Sequence, residues 1–219
     1  MIELPDFSRS FEYENNFYLS CDSSRISKII AQYELFKKTL EVPGAIVECG
    51  VFKGSSLARF AMFRELLMGS LSKKIIAFDT FGQYPETQFD SDKKYRERFI
   101  QTAGEEGISK EQLVSVLQHK GVYRNAELVE GDITRTVPEY VKQNPELKIS
   151  LLNLDTDVYE PAVTILEHLF PRMAKGGILL VDDYGVFAGE NRAVDEYFEQ
   201  KEIQIRKLPF AQTPCYIVT

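Results

Sequence analysis

Apolar residues follow two patterns that take turns along the chain. Short, nearly continuous apolar runs occur at 45–49 (AIVEC), 75–79 (IIAFD), 126–130 (AELVE), 149–154 (ISLLNL) and 178–182 (ILLVD). Such runs predict strands covered on both faces, because a strand with one wet face alternates instead. Between them the spacing turns helical. Residues 55–68 place Leu57, Phe60, Ala61, Phe63, Leu67 and Met68 ahead of Gly69. Residues 160–170 carry Val163, Leu166, Leu169 and Phe170, with Pro161 suited to a first turn, and 190–200 carry Ala193, Val194, Tyr197 and Phe198. Strands alternating with helices predict an α/β fold on a doubly wound, mostly parallel sheet.

Three stretches depart from this alternation. Residues 23–40 predict a helix before the first strand, with Ile26, Ile29, Ile30, Tyr33, Phe36 and Leu40 on one face and Asp22 or Ser23 as cap. The segment 81–125 is far longer than a crossover needs. It predicts a charged helix near 92–102 and a second at 110–119, where Ser109 and Gln112 form a capping box. The end of the chain predicts strands at 203–208 and 215–219 joined by PFAQTP, an antiparallel pair. One domain over 1–219 is expected, with 1–43 as an N-terminal cap and helix and 81–125 as a lid insertion.

Composition narrows the class. With 219 residues, 44% of them hydrophobic and 12% aromatic, a real core is expected, and disordered or collagen-like chains are excluded. Lys and Arg number 26 against 33 Asp and Glu, a net charge of −7, so no basic face offers itself to nucleic acid. No apolar run approaches a membrane span, and Glu3 and Asp6 stand where a leader would be basic. No nucleic-acid or membrane partner is therefore expected. Cys21, Cys49 and Cys215 are far apart with no CxxC, which reads as reduced thiols in a cytoplasmic protein. His119 and His168 alone argue against a His-rich zinc site.

In open parallel sheets ligands bind beyond the carboxyl ends of the strands. The first strand runs into Glu48-Cys49-Gly50-Val51-Phe52-Lys53-Gly54-Ser55-Ser56. Gly50 and Gly54 permit a tight turn, and the helix opening at Ser55 or Ser56 offers free N–H groups. The spacing is not GxGxxG, and a plain strand–helix connection would use the same glycines. Glu48, inside an apolar strand, needs a ligand amine or local donors. Asp79 ends the second strand where it can accept from ribose hydroxyls, or cap the segment after it. Asp132 ends the third, near an adenine amino group or as ordinary turn chemistry. The last two strands end in Asp155-Thr156-Asp157 and Asp182-Asp183. Carboxylates converging there either cap helices and turns or hold a hard cation, and oxygen ligands favour Mg²⁺, Mn²⁺ or Ca²⁺ over zinc.

With those residues assembled, the chain resembles the class I S-adenosylmethionine-dependent methyltransferases. Within them it is similar to the metal-dependent, macrocin-type sugar O-methyltransferases. The resemblance is carried by GAIVECGVFKGSSLARFA (44–61), IIAFDTFGQYPE (75–86), LVEGDI (128–133), LLNLDTDVYEP (151–161) and GGILLVDDYG (176–185). It implies a seven-stranded sheet ordered 3-2-1-4-5-7-6 with an antiparallel last strand. It also implies that Glu48, Gly50, Gly54 and Ser55 hold the methionine part of S-adenosylmethionine, with Asp79 on the ribose and Asp132 near the adenine. Asp155, Asp182 and Asp183 would bind Mg²⁺ or Mn²⁺, and Asp157 would be the general base. The implied acceptor is a hydroxyl of a small-molecule sugar or glycoside, and a homo-oligomer is compatible with this reading. Tyr159 and Tyr184, beside the acids, are candidates to stack on the sugar. Two other classes remain open at this point. One is a glycosyltransferase that uses Asp155-Thr156-Asp157 as a DxD motif; the other is a non-catalytic S-adenosylmethionine-binding protein.

Overall fold

A computed structural model describes residues 2–219. The five apolar runs form β1 (Ala45–Cys49), β2 (Ile75–Asp79), β3 (Ala126–Glu130), β4 (Ile149–Leu154) and β5 (Met173–Val181), paired in parallel. β7 (Cys215–Val218) lies antiparallel between β5 and the two-residue β6 (Arg206–Lys207). The order β3-β2-β1-β4-β5-β7-β6 is the one the resemblance implies.

Period-two alternation sorts the strand side chains into two layers. Ile46, Ile75, Ala77, Leu151, Ile178 and Leu180 pack with α2 (Ser23–Lys37), α3 (Ser55–Met68) and α5 (Lys110–His119). Val47, Cys49, Ile76, Phe78, Leu154 and Val181 face α6 (Ile133–Gln143), α7 (Tyr159–His168) and α8 (Ala188–Phe198). Each buried Leu or Ile stabilises by about 1.5–3 kcal/mol. A one-residue slip would exchange the two layers, so the register is fixed. The remaining helices are α1 (Ser10–Ser20), which has no buried residue, and α4 (Asp90–Ala103) in the β2–β3 insertion.

Several boundaries differ from the sequence reading. β5 starts at Met173 rather than 178, because Lys175-Gly176-Gly177 interrupts the apolar run at an irregularity in the β4–β5 pairing. The 203–208 strand shrinks to Arg206–Lys207, an exposed, charged edge that discourages further pairing. Helix α6 is an addition to the sequence reading, since Pro138 stands inside it. Its Ile133, Val137, Tyr140 and Val141 nonetheless share one buried face. α5 and its capping box are as expected.

Candidate active site

The carboxyl ends of β1 to β5 open on one cavity of about 870 Å³. Gly50, Ser55, Asp79, Asp132, Asp155, Asp157, Asp182 and Asp183 all line it. Its floor follows from the β1 turn. A Cβ on Gly50, whose φ is +89°, would stand 1.7 Å from the Asp155 carbonyl oxygen, so only glycine lets β1 and β4 exit side by side. Asp79 Oδ2 accepts from the N–H groups of Val51 (2.6 Å) and Phe52 (3.1 Å), and its Oδ1 accepts from Phe81 N–H (2.7 Å). One carboxylate thereby ties the β1 and β2 exits together. Asp132 Oδ1 caps α6 through Thr134 N–H at 2.9 Å.

Glu48 and Gly54 lie under the cavity rather than in its wall. Glu48 shares the parity of Ile46 and points to the α3 layer, where Ser56 Oγ donates to its Oε1 and Asn153 Nδ2 reaches it at 3.4 Å. Its Oε2 has no partner among the described residues, and burial pushes its carboxyl up to about 8. Gly54 is the N-cap of α3 and holds a left-handed conformation there.

Parity also divides the acids at the β4 and β5 ends. Asp182 continues the face of Ile178 and Leu180, is fully buried, and turns its Oδ2 to Lys28 Nζ on α2. Asp155, Asp157 and Asp183 bring one oxygen each within 4.8 Å of one another. So the trio that converges includes Asp157 and leaves Asp182 beside it, whereas the resemblance groups Asp155 with Asp182 and Asp183. Asp157 sits at φ +63°, and its Oδ2 accepts the Tyr84 hydroxyl at 2.6 Å. Beneath the trio lies Glu190, fully buried on α8. Its carboxylate accepts from the N–H groups of Asp183 (3.1 Å), Asp157 (3.3 Å) and Thr156 (3.4 Å). Burial first, then mutual repulsion, holds Asp155, Asp157 and Glu190 well above the ordinary carboxylate range. Burial also raises Asp182, against the opposing pull of Lys28. Three converging oxygens, with the buried Asp182 carboxylate against Asp155 beside them, suit a hard divalent cation, whose oxygen ligands sit at about 2.0–2.6 Å.

The 81–125 insertion forms a side wall and is fastened at several points. Glu160, on the first turn of α7, accepts from Thr87 Oγ1 (2.9 Å) and from the N–H groups of Gln88 (2.7 Å) and Phe89 (3.1 Å). In the other direction, the buried Asp92 of α4 accepts from Tyr159 N–H (3.0 Å) and Gly189 N–H (2.8 Å). A Cβ on Gly189 would lie 1.9 Å from the Asp92 carboxylate. Phe89, Tyr159 and Arg192 stack over this joint.

Tyr159 and Tyr184 therefore do not line the cavity. Tyr159 is spent on Phe89 and Glu196, and Tyr184 bonds Asp195. The aromatic wall comes instead from Phe52, Tyr84, Phe99 and Phe187. His119 stacks on Phe7 at 4.2 Å, away from the cavity. Sequence reasoning missed Lys28, Tyr84 and Glu190. Glu190 had a signal, since it lies three and four residues before the buried Ala193 and Val194. Lys28 lies three, four and seven residues before the buried Ala31, Gln32 and Leu35, off the face the isoleucines predict, where Ile30 is exposed, and Tyr84, on a loop, carried no signal.

The profile of the macrocin-O-methyltransferase (TylF) family matches residues 23–210. The chain is 31% identical over 162 residues to the 8-demethyl-8-(2,3-dimethoxy-alpha-L-rhamnosyl)-tetracenomycin-C 4'-O-methyltransferase of Streptomyces olivaceus, covering 71% of this chain and 58% of that one. It is 27% identical over 168 residues to the demethyldecarbamoylnovobiocin O-methyltransferase of Streptomyces niveus, with the same coverage. The chain thus spans about three fifths of the length of these curated relatives. Among solved structures, the calicheamicin methyltransferase CalS11 superposes with a TM-score of 0.77 at 28% identity, over 95% of this chain and 85% of that one. The O-methyltransferase NovP shares the fold at a TM-score of 0.71 and 20% identity, over 88% of this chain and 79% of that one.

Proposed function

Because the chain belongs to the macrocin-O-methyltransferase (TylF) family, we propose that it transfers a methyl group from S-adenosylmethionine to a hydroxyl of a sugar or glycoside, in a reaction that uses Mg²⁺ or Mn²⁺. The observation that carries this reading is the convergence of Asp155, Asp157 and Asp183 in the same cavity as the glycine turn and Asp79. Gly50, Gly54 and Ser55 shape the methionine seat above the buried Glu48. Asp79 and Asp132 line the nucleoside end, Asp132 with the Oδ2 that its cap bond does not use and Asp79 with the lone pairs that remain on oxygens already accepting three N–H groups. Asp155 and Asp183 are the cation ligands common to the converging trio and to the family pattern. A divalent cation held by them would supply Lewis acidity toward an acceptor hydroxyl, lowering its pKa.

Asp157 is the general base of this reading. Its Oδ2 is engaged by Tyr84, so Oδ1 receives the acceptor proton as the carbon–oxygen bond forms. Tyr84 orients that carboxylate while its ring stays in the aromatic wall. Tyr84→Phe should lower kcat about tenfold and move KM by less than about threefold. Steady-state kinetics check this. A raised KM with unchanged kcat would assign Tyr84 to acceptor binding instead.

The function itself is tested by melting the protein with S-adenosylmethionine or S-adenosylhomocysteine, with Mg²⁺ or EDTA, and by following methyl transfer to free and nucleotide-linked sugars. Donor at about 100 times its Kd should add about 2.7 kcal/mol, a shift of about 5–10 °C. No shift with either form of the donor, and a shift with a nucleotide sugar, would overturn the reading. The acids set a pH dependence in the same experiment. Glu48, pushed up to about 8, and the raised Asp155, Asp157 and Glu190 keep protons that the unfolded chain has already released. Stability of the cation-free protein should therefore fall as pH rises from the ordinary carboxylate range towards about 8. Saturating Mg²⁺ should flatten that fall, and an unchanged slope would mean that the trio takes up no cation.

A further inference from the structure

Five carboxylates crowd the ends of β4 and β5 and the start of α8: Asp155, Asp157, Asp182, Asp183 and Glu190. Among the described residues, Lys28 is the cation that makes an ion pair with this group, through Asp182 Oδ2. The two partners are unlike in their freedom. The Asp182 side chain is 0% exposed, while that of Lys28 is 26% exposed at the cavity rim. Asp182 Oδ1, on the same carboxylate, accepts no N–H or O–H among the described residues, and the carboxylate lies against that of Asp155. A buried carboxylate without a counter-charge is costly, so something must hold Asp182 whenever no other cation does.

A lysine ammonium suits a temporary version of that task. It is a point charge on a flexible four-carbon stem, and a partly exposed one reaches water by rotating its own side chain. A divalent ion bound among Asp155, Asp183 and Asp182 would place two positive charges beside the one on Nζ. The two cations would then compete for the same oxygen.

We propose that Lys28 is a displaceable counter-ion. It neutralises Asp182 while the acid cluster is empty, and leaves as a divalent cation takes up that carboxylate, already against Asp155, together with Asp155 and Asp183. The inference rests on the reading of this cluster as a cation site. It accounts for the position of Asp182 beside the converging trio in this structure. It also makes cation uptake and the seating of α2 oppose each other, since one end of that helix is pinned by the bond the cation breaks. The affinity of the site is then set in part by a residue that is no ligand.

Titration of the protein with Mn²⁺ alone, by calorimetry without donor or acceptor, tests this with Lys28→Met. The variant should bind Mn²⁺ about tenfold more tightly than the unmodified protein, because the charge paired with Asp182 is gone while Arg59, which also acts on Asp155 and Asp182, is the same in both. Without metal it should melt lower, and saturating Mn²⁺ should close that gap. Equal or weaker Mn²⁺ binding by the variant overturns the proposal and leaves the cation site standing. Absence of Mn²⁺ binding by both proteins removes the site and the proposal together. Should Lys28→Met fail to fold, acylation of the unmodified protein decides, read by mass spectrometry against the exposed Lys175. Mn²⁺ should speed labelling of Lys28 relative to EDTA, and an unchanged or slower rate overturns the proposal.

Discussion

Asp157→Asn should lower kcat by about 10²–10⁴-fold and at the same time raise the melting temperature of the cation-free protein. The two effects have one origin. Asp157 is buried beside Asp183, and burial and that neighbour hold its carboxyl far above the ordinary range. Asparagine has the same shape and still accepts the Tyr84 hydroxyl. It also tolerates the left-handed backbone at φ +63°, so the loop is not disturbed. What disappears is the cost of protonating a carboxyl that the unfolded chain leaves ionised, and with it the oxygen that the proposed mechanism gives the acceptor proton. Single-turnover methyl transfer and a melting curve on the same preparation check the pair of outcomes. Turnover within about threefold of the unmodified protein would send the proton elsewhere. Lost activity with a lowered melting point would mark Asp157 as a structural residue.

The second large effect lies far from the cavity. Arg64, on α3, is fully buried, and its guanidinium donates to the carbonyls of Lys73 (2.9 Å), Val122 (2.9 Å), Arg124 (2.7 Å) and Asn125 (3.2 Å). Those carbonyls lead into β2 and β3, so one side chain sets where both strands begin. Arg64→Met keeps the stem and strips every donor, leaving the carbonyls of Lys73, Val122 and Arg124 without that partner, while Asn125 O keeps the N–H of Ile75. A loss of about 3–5 kcal/mol is expected. For a chain of this size that is about 2–4 °C of melting temperature per kcal/mol. Donor affinity per folded molecule should stay the same, because Arg64 sits at the opposite ends of the strands from the cavity. Denaturant unfolding with a parallel donor titration reads both. A loss below about 1 kcal/mol would mean that water takes over the carbonyls.

The contrast between these two residues explains what the sequence disclosed. Strands buried on both faces declare themselves as apolar runs, and ligand-binding residues of such a sheet must come directly after those runs. Glu48, Gly50, Asp79 and the acids after β4 and β5 were therefore legible as candidates from local pattern alone. Arg64 looks like any arginine on an amphipathic helix, and its burial depends on strands that arrive later in the chain. Lys28, Tyr84 and Glu190 are of the same kind, each reaching a carboxylate or backbone group on a distant element. Parity was an unused signal. Asp182 continues the alternation of Ile178 and Leu180, which already directs it toward the α2 layer and away from Asp183. Helix α6 was concealed by Pro138, although its four buried residues keep helical spacing.

The fastening of the 81–125 insertion has a consequence for how the chain is made. Asp92 finds its partner Gly189 across 97 residues, and Gln88 finds Glu160 across 72. A ribosome adding roughly 5–20 residues each second delivers Gly189 about 5–20 s after Asp92. Through that interval Tyr84 and Phe99 have Phe52 and each other, but Phe89 waits for Tyr159, and Phe99 for Phe187. Nascent chains halted between residues 125 and 158 thus present the insertion before Tyr159, Glu160 and Gly189 exist to fasten it, open to chaperones and proteases.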